Sequence, residues 1–200
     1  MDAARQALDR LREGNRRFAS ASRAGVSGHK RPADIADEQA PFAIILGCSD
    51  SRVPAEIVFD QGLGDLFVIR VAGNIVAPSQ IGSVEFAATN FGTRLVVVLG
   101  HTRCGAVLAA VEQLQMPRDS RSRNLRSIVD FVRPSVERCI EAGADEDHDA
   151  LVERAVRANI RSSVDHLRHG SEILEELIES EGLRIVGAEY CLQSGLVEFL

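Results

Sequence analysis

PFAIILGCSDSR, residues 41–52, runs from an apolar segment into three residues that a protein core cannot use together. Phe42–Leu46 is short, continuous and without polar alternation, the pattern of a strand buried on both faces. Cys48 alone reads as an ordinary core cysteine. Asp50 and Arg52 follow it at steps of two, and charged groups are costly to bury unless paired. The end of this strand therefore asks for a site.

Working outward, Leu66–Val71 and Leu95–Leu99 repeat the same strand character. Between them PSQIGSVEFAATNFG reads as a helix capped by Ser79 and ending near Gly92. CGAVLAAVEQLQM reads as a helix stopped by Pro117. This alternation of strand and helix predicts a parallel sheet. Ala4, Leu8, Leu11, Asn15 and Phe18 recur at helical spacing, so residues 2–19 form an amphipathic helix with Asp2 as N-cap. Residues 20–40, of Ser, Gly, Pro and charge, read as a connecting arm. Most of 118–140 is helical in pattern, 141–149 is an acidic hinge, and helices resume over 150–168 and 171–181, with Gly182 as the stop. LRIVGAEY supplies a fourth strand and LVEFL a short terminal one. The expected class is α/β: a mainly parallel sheet of about four core strands plus an added edge strand, flanked by helices, with an extended N-terminal helical arm.

Two hundred residues suit one domain, spanning 1–200, with helix and arm over 1–40 and the α/β core and helical C-terminal part over 41–200. The apolar share of 45% and charged share of 26% are those of an ordinary globule. Against 29 acidic residues stand 23 basic ones, a formal charge of −6, which argues against a nucleic-acid partner. No apolar run approaches the roughly 20 residues of a membrane span, and the N-terminus has no signal-peptide core. Four cysteines in a chain of this length suggest metal or catalysis in a reducing, cytoplasmic setting.

GHTRCG, residues 100–105, follows the third strand as GCSDSR follows the first. Both fall at carboxyl ends of strands, where open α/β sheets build their sites. His101 and Cys104 lie three apart across a tight turn, and Cys48 comes from a neighbouring strand end. Two thiolates and an imidazole suit zinc, and three ligands leave a fourth position open, the catalytic arrangement. Zinc brings the pKa of a water from 15.7 to about 7. Asp50 would orient the resulting hydroxide, and Arg52 would hold Asp50 away from the metal by paired hydrogen bonds. Taken singly, these residues also fit a core cysteine, a turn histidine, a helix cap and a surface charge. Short motifs of this kind recur by chance.

CSDSRVPAE (48–56), GDLFVIRVAGN (64–74) and LGHTRCGAV (99–107) resemble the β-class carbonic anhydrases, in the same order and almost without gaps over 41–107. The likeness extends more weakly to LREGNRRF and to VGAEYCLQSGLVEFL. The resemblance implies one zinc ion per subunit held by Cys48, His101 and Cys104, with Asp50 and Arg52 as the catalytic dyad. It implies a lyase (carbonate dehydratase) that hydrates CO₂ reversibly to bicarbonate and a proton, working as a dimer or tetramer. It carries over Gln39 as a donor to bound substrate, Phe67 and Phe86 as cleft-lining aromatics from the partner subunit, and Gly73 and Gly105 as positions of close backbone approach. A branch of the family binds bicarbonate at a second pocket through a tryptophan, an arginine and a tyrosine. Ile45 stands at the tryptophan position while Arg70 and Tyr190 are present, so that pocket is incomplete. Cys191 replaces an aspartate common in the family, and a local change near the sheet edge is expected there. COS or CS₂ hydrolysis on the same scaffold is the chemical alternative, and a non-catalytic zinc-stabilised binding protein the structural one. RDSRSRNLRS (118–127) and ADEDHD (144–149) read as a solvated stretch and an acidic linker, His166 and His169 as surface residues, and Cys139 and Cys191 as buried thiols.

Overall fold

The computed structural model describes residues 2–20, 36, 39–115, 122–142 and 147–200. Helix α1 (Ala3–Ala19) is followed by strand β1 (Ala43–Gly47), a single turn α2 (Ala55–Val58) and strand β2 (Leu66–Arg70). A 3-10 turn at Ala72–Asn74 leads into α3 (Pro78–Asn90) and β3 (Leu95–His101). Helices α4 (Gly105–Gln115), α5 (Arg123–Ala142), α6 (His148–His169) and α7 (Glu172–Glu181) precede β4 (Arg184–Tyr190) and β5 (Val197–Phe199). The strands lie in the order β2-β1-β3-β4-β5; the first four are parallel and β5 returns antiparallel on β4. This is the expected class, four parallel strands with an added one at the edge. Most of the arm at 20–40, the start of the basic stretch and residues 143–146 of the acidic hinge lie outside the described residues.

Strand side chains alternate between faces, and here both faces are dry. Ile44, Leu46, Val96 and Val98 pack against helices α3 to α7 on one side. Ala43, Ile45, Leu95, Val97 and Leu99 pack against α1 and α2 on the other. That is why β1 and β3 read as unbroken apolar runs. Each large side chain so buried contributes about 1.5–3 kcal/mol relative to exposure.

Helix ends follow local chemistry. Asp2 caps α1 by accepting from the amides of Ala4 and Arg5. Gly182, left-handed at φ 71°, ends α7 as expected. The expected cap at Ser79 is corrected: α3 begins at Pro78, which needs no amide partner, and Ala77 holds the cap position. Gln80 replaces the missing cap side chain, its Oε1 accepting from the Ala77 amide at 3.3 Å.

Asn15 joins the two ends of the described chain. Its Nδ2 donates to the carbonyls of Val58 (3.1 Å) and Gly195 (2.9 Å), and its Oδ1 accepts from the Val197 amide (2.8 Å). It is buried on α1 at 3% exposure, so a helical residue on the apolar face is polar because the β4–β5 turn and α2 need its bonds.

Candidate metal centre and active site

β1 and β3 are in register with Gly47 beside Leu99, so the residues that follow each strand emerge together at one edge. Cys48, His101 and Cys104 meet there, with their ligand atoms all within 4.8 Å of one another. They are 5%, 0% and 1% exposed. His101 Nδ1 lies 2.9 Å from the Thr102 carbonyl. A carbonyl only accepts, so Nδ1 carries the proton and Nε2 presents its lone pair. That Nε2 is buried without a hydrogen-bond partner among the described residues. A buried bare lone pair facing two thiols is the donor set of a soft divalent cation.

The sulfurs are surrounded by amides. The Gly73 N–H donates to Cys48 Sγ at 3.4 Å, and the Asp50 amide also points to it. The amides of Ala106 and Val107, in the first turn of α4, point to Cys104. A hydrogen bond from the Cys104 thiol, joined by those of the Gly73 and Asp50 amides, lowers Cys48 to about 4 against the cost of burial. Cys104 is pushed up in turn, by its bond to Cys48, by burial and by the neighbouring negative charge. The pair gives up one proton easily and resists losing the second. A cation between the sulfurs removes that resistance, so the residues fit zinc.

Asp50 stands beside this cluster, its Oδ2 3.9 Å from His101 Nε2. Arg52 holds it three times: the amide and Nε donate to Oδ1 at 2.9 Å each, and a terminal nitrogen donates to Oδ2 at 2.7 Å. These bonds hold the Asp50 carboxyl well below the usual carboxylate range. The trio at 48–52 is thus assembled as the spacing suggested, with Asp50 paired to Arg52.

The remaining sequence candidates are spread more widely. Gln39 is exposed, two residues before Pro41, whose carbonyl is bonded by Thr93 at the amino end of β3. It therefore stands across the length of β1, about 13 Å of strand, from the carboxyl-end cluster. Phe67 and Phe86 pack together with Phe91, with ring centroids 5.6–6.2 Å apart, and Phe86 is 49% exposed. Gly105 opens α4 directly after Cys104, and a Cβ there would meet nothing within 4 Å. Cys191 sits in the β4–β5 turn, its thiol lowered by hydrogen bonds at Ser194.

Two groups have roles at the site that the sequence does not reveal. Arg70 donates from Nε to the Cys48 carbonyl (3.0 Å) and from a terminal nitrogen to the Asp50 carbonyl (2.6 Å), fastening the loop that carries the trio. On α6, Asn159 and Ser163 bond the carbonyls of Gly73 and Asn74. The second group left a trace: two polar residues four apart on a face otherwise made of Val156, Ile160, Val164 and Leu167.

A family model described as carbonic anhydrase matches residues 43–197. A carbonic anhydrase of Mycolicibacterium smegmatis is 38% identical over 94% of this chain and 89% of its own length. Carbonic anhydrase 2 of Mycobacterium tuberculosis is 39% identical over 92% of this chain and 87% of its own. A tetrameric β-carbonic anhydrase of Sordaria macrospora, at 25% identity, superposes with a TM-score of 0.76 over 91% of this chain and 93% of its own.

Proposed function

The chain belongs to the carbonic anhydrases, in their β class, and from that membership we propose that it holds one zinc ion between Cys48, His101 and Cys104 and uses Asp50 and Arg52 to hydrate CO₂ reversibly to bicarbonate and a proton. The observation that carries this reading is the buried, unpartnered His101 Nε2 facing two thiols with an Arg52-clamped carboxylate 3.9 Å away.

Zinc held there supplies Lewis acidity, lowering the pKa of a water to about 7. The chain's residues do the rest. Two thiolates and a neutral imidazole balance the ion's charge, so the site carries no excess charge to bind bicarbonate product too tightly. Asp50 accepts a hydrogen bond from the nucleophile's O–H and so turns a lone pair toward substrate. Its low pKa keeps it an acceptor throughout the neutral range. Arg52 keeps both carboxylate oxygens committed, which prevents Asp50 from becoming a fourth ligand. The incomplete second pocket, with Ile45 in place of tryptophan, is consistent with this paired arrangement being the resting one.

We place Gln39, Phe67, Phe86 and Gly105 at the substrate cleft, with the first three acting across a subunit boundary. The distance of Gln39 from its own cluster and the exposure of Phe86 support an assembly of at least two copies, and the Sordaria relative is tetrameric. The whole chain then works as one domain. Among the described residues no helix is long and apolar enough to cross a membrane. The reliance on two free thiols favours a reducing compartment, the cytoplasm.

The test is Asp50→Asn. It should keep zinc at one ion per chain while CO₂ hydration, read by stopped flow, falls roughly 100-fold or more. Wild-type turnover in that variant removes Asp50 from the mechanism. COS or CS₂ would meet the same nucleophile, so turnover of CO₂ and COS should be compared side by side; faster COS turnover would make the chain a hydrolase on this scaffold.

A further inference from the structure

Gly73 and Asn74 both have left-handed backbones, with φ of 71° and 44°. Glycine and asparagine are the residues that adopt this conformation most readily, but two in succession are unusual. The turn that contains them aims the Gly73 N–H at Cys48 Sγ, 3.4 Å away. Its Gly-Asn sequence permits that shape, and carbonyl bonds from outside the turn add to the Asn74 amide's own bond to Val71 in fixing it.

The hold comes from α6, 86 and 89 residues further along the chain. Asn159 Nδ2 donates to the Gly73 carbonyl at 2.8 Å, and Ser163 Oγ donates to the Asn74 carbonyl at 3.0 Å. Asn159 and Ser163 are 2% and 5% exposed, so neither bond competes with water. They sit four residues apart, one helical turn, and so face the same way. On the other side of the turn, a Cβ on Gly73 would stand 3.0 Å from the Ala106 Cβ. The turn is therefore pinned from α6 and pressed against α4, the helix whose amides surround Cys104.

We infer that Asn159 and Ser163 are positioning residues of the metal centre: by fixing the Gly73–Asn74 peptides they aim the Gly73 amide at the Cys48 sulfur and so set how tightly that thiolate holds its ion. They touch neither metal nor substrate. The inference rests on the metal-binding reading above. A hydrogen bond to a ligating sulfur withdraws charge from it and fixes its direction, and partners outside the ligand set commonly change metal affinity by 10–100-fold.

The experiment uses the full-length protein loaded with zinc and, separately, with cobalt(II). Asn159→Ala and Ser163→Ala are compared with Leu167→Ala, a buried residue of the same helix that bonds no turn carbonyl. Both polar variants should still load one zinc per chain but release it to a chelator about tenfold faster, and the thiolate-to-cobalt charge-transfer band should shift. Leu167→Ala should melt at a lower temperature yet keep wild-type release and an unshifted band. If the polar variants release zinc at the wild-type rate with an unshifted band, the inference is overturned. It is also overturned if Leu167→Ala reproduces their faster release and shifted band, because the effect is then general loosening of α6. Should Asn159→Ala not fold, Ser163→Ala alone decides between these outcomes. A wild-type chain that takes up no zinc or cobalt would instead sink the metal-binding reading, and the inference with it.

Discussion

Arg70 fixes the direction of the reacting groups without being one of them. Its guanidinium ties together the carbonyls of Cys48 and Asp50, so the thiol and the carboxylate keep one relative orientation. Arg70→Met keeps the aliphatic stem and removes both bonds. It should cost about 1–3 kcal/mol of stability, measured by urea unfolding, and lower CO₂ turnover more than it raises KM. Unchanged kcat would show that the loop holds its shape unaided. The trio at 48–52 was legible because its members lie within five residues and their types are wrong for a strand. Arg70 was not, since its partners are backbone carbonyls 22 and 20 residues away, and carbonyls leave no mark on a sequence.

At the scale of elements, α6 lies close on β3 and β4 because two glycines let it. A Cβ on Gly100 would stand 2.5 Å from Ile160 Cδ1, and one on Gly187 2.8 Å from Ile160 Cγ2. Gly100→Ala must push Ile160 outward and should destabilise by about 1–3 kcal/mol; because His101 follows directly, zinc release should quicken as well. A melt and a chelator assay check the two effects. Glu189 on β4 gives a pH signature. Burial raises its pKa, only partly offset by Arg157 at 2.8 Å. Below the ordinary value of 4.5 the acid is neutral in both folded and unfolded chains, and that stability is intact. As pH rises through the raised folded pKa, the native state must accept a buried charge and loses stability. Glu189→Gln should remove this decline, which denaturant titrations between pH 4 and 7 would reveal as wild-type stability falling with pH relative to that of the variant. Strands and helices were legible here from apolar runs and helical spacing, since both sheet faces are dry. The start of α3 was misread because a serine near a helix start suggests a cap, whereas Pro78 already sets the backbone.

The described residues form a five-stranded sheet with helices on both faces, and β2 lies at one edge, pairing only with β1 among the described strands. Near that edge Phe67, Phe86 and Phe91 cluster, with Phe86 half exposed. Phe86→Glu should shift the protein toward monomer in light scattering and lower turnover in parallel; a variant of wild-type mass and activity would remove this aromatic from any subunit contact. Gln39 is exposed and stands at the far end of β1 from the metal-ligand cluster, a separation that residue spacing alone does not reveal. Asn15 carries the last consequence. Its partner amide at Val197 lies 182 residues further on. During synthesis at about 5–20 residues per second, that partner arrives roughly ten to forty seconds after α1 has emerged. Throughout that interval the apolar face of α1 has no finished surface to cover it. Until the β4–β5 turn is delivered, only the part of that face that packs against α2, β1 and β3 can be covered.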